Sequence, residues 1–127
     1  MTERRDTVQQ RAIREVCETS GRPLSIDEIF ELSKLEVPSL GQRTVYRIVR
    51  RMEEDGHLVP VAVSGQPDRY ELAEIAASHH HHFHCTVCDR MFDVDGCVGK
   101  LKNLLPKGFT LEDHDLTLRG RCDTCTD

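Results

Sequence analysis

The sequence predicts an α+β chain in two parts: helices running into a β-hairpin, then a small α/β module. Two observations carry that division. Apolar residues recur at helical spacing as far as Met52, then alternate with period two from Leu58. Beyond residue 78, a Cys-x-x-Cys pair stands near each end of what remains of the 127 residues. Hydrophobic residues make up 38% of the chain, with four Phe, two Tyr and no Trp. Each part can bury only a modest aliphatic core, and modules this small often need a metal or a partner subunit.

Residues 6–19 are expected to form the first helix, with Val8, Ala12, Ile13, Val16 and Cys17 at helical spacing. Cys17 lies on that stripe and reads as a small buried residue. Gly21-Arg22-Pro23 breaks the chain. Ser25-Ile26-Asp27-Glu28 is a capping-box pattern opening a short helix, with Ile26, Ile29 and Phe30 on one face, and Val37-Pro38 ends it. Ser39-Leu40-Gly41-Gln42 repeats the capping-box pattern. The helix after it should turn Val45, Ile48, Val49 and Met52 inward and stop at Gly56. Residues 58–63, a turn over 64–68 and residues 69–72 then form a hairpin. Three helices and a hairpin make a winged helix-turn-helix domain, expected over residues 1–73.

The outward side of the third helix carries Arg43, Thr44, Arg47, Arg50 and Arg51, with no acid between residues 43 and 51. Most charge runs are simply solvated. Four arginines between a cap and a wing suit instead a helix that enters the major groove of double-stranded DNA. The net charge is −5, yet residues 1–51 carry ten Lys/Arg against eight Asp/Glu, whereas residues 52–127 carry seven against fourteen. That asymmetry argues against indiscriminate nucleic-acid binding and leaves room for a local basic surface. No apolar run approaches a membrane span, and Met1-Thr2-Glu3-Arg4 begins no signal peptide. The expected location is cytoplasmic, with no membrane partner. In a reducing compartment, six cysteines point to metal ligation or redox chemistry rather than disulfides.

Residues 74–78 read as a hinge, and residues 79–127 as the second domain. It opens with His79-His80-His81-His82-Phe83-His84-Cys85-Thr86-Val87-Cys88. A purification remnant would sit at a terminus, so this internal run is read as chemistry. A strand at 91–94, a helix from about Cys97 to Leu105 and a strand at 110–119 should follow. Cys85, Cys88, Cys122 and Cys125 offer the four thiolates of a closed tetrahedral zinc site. A redox dithiol would want one such pair at a helix start instead. If residues 79–84 are extended, His79 and His81 face one way and His80 and His82 the other. Two half-sites are then expected, with His114, Glu71 and Asp93 as candidate partners.

Gln42-Arg43-Thr44-Val45-Tyr46-Arg47, the His79–His82 run ahead of Cys85-x-x-Cys88, Asp113-His114-Asp115-Leu116 and the final Cys122-x-x-Cys125 together resemble the ferric uptake regulator family. The resemblance implies a homodimeric, metal-dependent transcriptional repressor that binds a palindromic operator and controls metal uptake, with the second domain dimerising. It implies that Tyr46 touches base or sugar and Arg47 a phosphate, beside Arg43, Thr44 and Arg50. Arg4 and Arg5 would lie near an N-terminal minor-groove contact. His79, His81 and His114 match the family's regulatory site, with Cys97 standing where a glutamate is usual, seventeen residues before His114. Glu71, His80, His82 and Asp93 match the hinge site, although Pro23 replaces its usual histidine.

The expected cofactors are a structural Zn2+ and a regulatory Zn2+, Fe2+, Mn2+ or Ni2+. Cys97 reads either as a small packed residue or as a ligand. As a ligand, its thiol favours zinc over Mn2+ or Fe2+, which would make the chain similar to the family's zinc uptake regulators. Oxidation of that thiol would remove a ligand, so redox could override metal sensing. Two other functions compete. A peroxide- or redox-sensing regulator of the same family would want the missing hinge histidine. A zinc enzyme of the deaminase type would want a His-x-Glu ahead of its cysteines, and none precedes Cys85 or Cys122. No enzyme activity and no small-molecule substrate are expected.

Overall fold

The computed structural model describes residues 7–78, 80–97 and 99–126. It is α+β, with two compact units, Met1–Ser78 and His79–Asp127.

In the first unit, helix α1 spans Val8–Thr19 and begins at Thr7, whose hydroxyl accepts the Gln10 N–H at 3.0 Å. Helix α2, Ile26–Glu36, has a complete capping box. Ser25 Oγ accepts the Glu28 N–H, and the Glu28 carboxylate accepts the Ser25 N–H, both at 3.1 Å. Arg22 and Arg69 donate to the same carboxylate at 2.7 and 3.4 Å. Burial pushes the Glu28 carboxyl up, but the Arg22 hydrogen bond, the Ser25 N–H and the two guanidinium charges outweigh it and hold it below its ordinary value.

Helix α3, Gln42–Glu54, corrects one expectation. The pattern at 39–42 forms no capping box, because the Leu40 N–H donates to the Val37 carbonyl at 3.0 Å and holds Pro38-Ser39 in a turn. The helix therefore starts later, at Gly41, with no side-chain cap. Its far end is closed as expected. Gly56 takes φ +80, its N–H reaches the Glu53 carbonyl, and the His57 N–H reaches Met52 at 2.8 Å. This is the paired bonding of a left-handed glycine cap.

Val45, Ile48, Val49 and Met52 join Ile13, Val16, Leu24, Ile29, Leu58 and Leu72 in one core. Cys17 belongs to it too; burial pushes its thiol up to about 12, so it is a neutral packing residue. Strand β1, Leu58–Val63, pairs antiparallel with β2, Gln66–Leu72. The turn is tighter than expected, since β2 already includes Pro67 and Asp68; a two-stranded ribbon leaves an edge that tolerates proline. Leu24 and Tyr70 exchange backbone hydrogen bonds at 3.0 and 2.7 Å, tying the hairpin to the segment before α2. One helical turn, α4, Ala73–Ala76, occupies part of the stretch read as a hinge.

The second unit is a three-stranded sheet in the order β4-β3-β5, where β3 is His81–Cys85, β4 Met91–Val94 and β5 Thr117–Gly120. β3 runs antiparallel to β4 and parallel to β5. The helix expected over 97–105 is only a 3-10 turn, Leu101–Leu104. Gly96 at φ +97 and Lys100 at φ +70 both take left-handed backbone, which an α-helix cannot continue. The strand expected from residue 110 starts only at Thr117. Just before it, the Asp113 carboxylate accepts the His114 N–H at 2.8 Å, a local bond that competes with ladder pairing.

Candidate metal centres

The parallel register of β3 with β5 sets Cys85 across from Gly120 and so delivers Cys122 to Cys85. The Cys122 and Cys88 N–H groups point at Cys85 Sγ, at 3.4 and 3.5 Å. Cys88 Sγ and Cys122 Sγ are 3.7 Å apart, and the four sulfurs of Cys85, Cys88, Cys122 and Cys125 all lie within 4.8 Å of one another. A tetrahedron with metal–sulfur bonds of about 2.3 Å has sulfur–sulfur edges of about 3.8 Å. The set fits a four-thiolate zinc ion. The Cys88 backbone N–H, aided by that of Cys122, draws the Cys85 thiol down to about 6. Cys125, hydrogen-bonded to the Cys122 sulfur, is pushed up to about 12. Crowded sulfurs resist ionising together, and a divalent cation removes that resistance.

Strand alternation divides the histidines. On one face, His80 Nε2 and His82 Nε2 lie 3.5 and 3.6 Å from Asp93 Oδ1, with the two rings 4.9 Å apart. On the other face, His81 Nε2 is 3.3 Å from Cys97 Sγ, which is 3.0 Å from His114 Nε2. The donor atoms of His81, Cys97 and His114 all lie within 4.8 Å of one another. Cys97 reaches this place from the loop after β4, not from the start of a helix as the sequence suggested.

His84 shares the parity of His80 and His82, yet its Nε2 meets Asp89 Oδ1 at 2.6 Å, making it a buried, hydrogen-bonded residue. Glu71 lies on β2 opposite Val59. His79, Arg4 and Arg5 lie outside the described residues. Asp89 and Thr124, whose hydroxyl sits 3.2 Å from the Cys122 sulfur, were not singled out from the sequence. The only signal in the sequence was that each adjoins a knuckle cysteine, Asp89 just after Cys88 and Thr124 just before Cys125.

In the first unit, Arg43, Tyr46, Arg47 and Arg50 are exposed on α3, while Thr44 and Arg51 are half-buried. The arginines and Tyr46, with Glu54, line a shallow open groove.

A winged helix with a basic outer face, in one chain with thiolate and imidazole clusters, defines a metal-responsive transcription regulator. A sequence model of the ferric uptake regulator family matches residues 2–119, and the chain belongs to that family. A ferric uptake regulation protein of Cupriavidus metallidurans is 32% identical over 125 residues, spanning 94% of this chain and 86% of that protein. A zinc-bound manganese uptake regulator of known structure has a TM-score of 0.79 at 25% identity, covering 94% of this chain and 91% of its own. A peroxide stress regulator of Campylobacter jejuni gives a TM-score of 0.57 at 27% identity, covering 93% of this chain and 87% of its own. Members of the family are transcription regulators and not enzymes, which removes the deaminase alternative. Among the described residues, no helix is long and apolar enough to cross a membrane.

Proposed function

We propose that this protein is a cytoplasmic, homodimeric repressor that binds a palindromic operator when loaded with metal and so controls metal uptake. The observation that carries it is the two-sidedness of α3: Val45, Ile48, Val49 and Met52 are buried while Arg43, Tyr46, Arg47 and Arg50 stand exposed. Such a helix can enter a major groove without disturbing its own core. Arg43, Thr44, Tyr46, Arg47 and Arg50 are its DNA contacts, with Arg4 and Arg5 added on the family resemblance.

Residues 1–73 act as the DNA-binding domain and residues 79–127 as the metal-binding, dimerising one, joined at 74–78. Cys85, Cys88, Cys122 and Cys125 hold a structural Zn2+. His79, His81, Cys97 and His114 form the regulatory set, and Glu71, His80, His82 and Asp93 the hinge set. A bound ion supplies positive charge that holds these donors together. Binding favours the DNA-competent arrangement by the difference in its affinity for the two states. Pro23 is fully buried and offers neither a ligand nor an oxidisable ring at the hinge, which favours metal over peroxide as the signal.

The test is selection from a pool of palindromic duplexes by dialysed protein, with Zn2+, Fe2+, Mn2+ or Ni2+ returned singly. Enrichment that needs one of the metals is expected. Equal enrichment without any metal would overturn the proposal.

A further inference from the structure

We propose that Cys97 sets the metal preference of the His81–Cys97–His114 set, making it selective for a thiophilic ion, Zn2+ first, and closing it to Mn2+. This rests on the reading of that set as a metal site. Cys97 is exposed, unlike Cys17, so core packing does not account for it. Instead its sulfur is flanked by two imidazole nitrogens, at 3.3 and 3.0 Å. Bonds of about 2.3 Å to sulfur and about 2.0 Å to nitrogen at a tetrahedral angle put nitrogen and sulfur about 3.5 Å apart. The His81 gap therefore needs to open by only about 0.2 Å, and the His114 gap by about 0.5 Å, to admit an ion.

The chemistry of the donors is the second argument. Among the described residues, no carboxylate oxygen belongs to this cluster. Glu112, Asp113 and Asp115 are exposed beside it, and Asp113 is occupied with the His114 backbone N–H. Across the same strand, His80 and His82 converge instead on the Asp93 carboxylate. One strand thus presents nitrogen with sulfur on one face and nitrogen with oxygen on the other. Thiolate selects soft and borderline ions, whereas carboxylate suits Mn2+. The first face is therefore the discriminating one.

The experiment uses full-length protein whose zinc content is held at one equivalent, so that the four-cysteine site stays filled, and titrates Co2+ as a spectroscopic probe. A sulfur-to-cobalt charge-transfer band in the near ultraviolet is expected. It should vanish in Cys97→Ala and Cys97→Glu and persist in His80→Ala. Cys97→Glu should still bind Co2+, with its preference for Zn2+ over Mn2+ reduced at least about tenfold, the lower end of what even outer-sphere changes cost. Absence of the band in the wild type, or an unchanged Zn2+/Mn2+ ratio in Cys97→Glu, would overturn the inference. Duplex binding measured on the same samples separates the two readings. A thiolate band with metal-independent DNA binding would defeat the repressor and leave the site standing; metal-dependent DNA binding without the band would do the reverse.

Discussion

His82 stands directly across from Asp93 in the β3–β4 ladder, its Nε2 3.6 Å from the Asp93 carboxylate. One residue earlier, His81 turns to the opposite face and meets Cys97. Asp93→Asn keeps the shape and removes the charge. It should weaken metal binding at the His80–His82 face by at least about tenfold, the lower end of what outer-sphere changes cost, while leaving the cobalt–thiolate band of Cys97 intact. Competition with a chelator of known affinity measures the first, and absorbance the second. Loss of both together would mean that the two faces are not separate sites.

Removing one thiolate from the four-cysteine cluster should be felt throughout the second unit. Structural zinc can supply on the order of 10 kcal/mol of folding free energy in modules of this size. Cys88→Ser should lose its zinc and the cooperative unfolding of residues 79–127. Metal analysis with thermal unfolding reads both. A zinc-free variant that still folds and dimerises would show the cluster to be dispensable.

Arg47→Ala should weaken binding to every duplex similarly and lower the salt slope of log K by about one, as for a lost phosphate contact. Tyr46→Ala should cost affinity with less change in slope, because its side chain carries no charge. Fluorescence anisotropy across a salt series measures both. Unchanged affinity and slope in the two variants would move the interface off α3.

Glu28 gives the first unit a defined acid sensitivity. Its carboxyl is held below its ordinary value of 4.5, so its ionised form is favoured by folding. The resulting stability is fully present above that value and is lost as pH falls through the depressed folded value. Glu28→Gln keeps an acceptor for the Ser25 N–H but cannot ionise. It should be less stable than wild type near neutrality, with the gap closing in acid. Urea midpoints at the two pH values report this, and a gap that stays constant would refute the assignment.

Sequence periodicity by itself determined the inward set of α3, the capping box at Ser25 and the opposed faces of the histidine run. These are local properties: 3.6-residue and two-residue repeats follow from backbone geometry alone. The neighbouring Ser39-Leu40-Gly41-Gln42 shows where local reading stops. It has the same pattern as Ser25–Glu28, yet a Val37–Leu40 turn bond takes the chain past the cap. The length of the helix at 97–105 was likewise decided by left-handed backbone at Gly96 and Lys100, and no spacing rule reads a dihedral at lysine. Tertiary structure alone decided which ends meet. The parallel pairing of β5 with β3 brings Cys122 beside Cys85 across 37 positions, and loop closure brings His114 to Cys97 across 17. Such contacts depend on chain reversal and strand register, which the residues between them share and no single motif encodes.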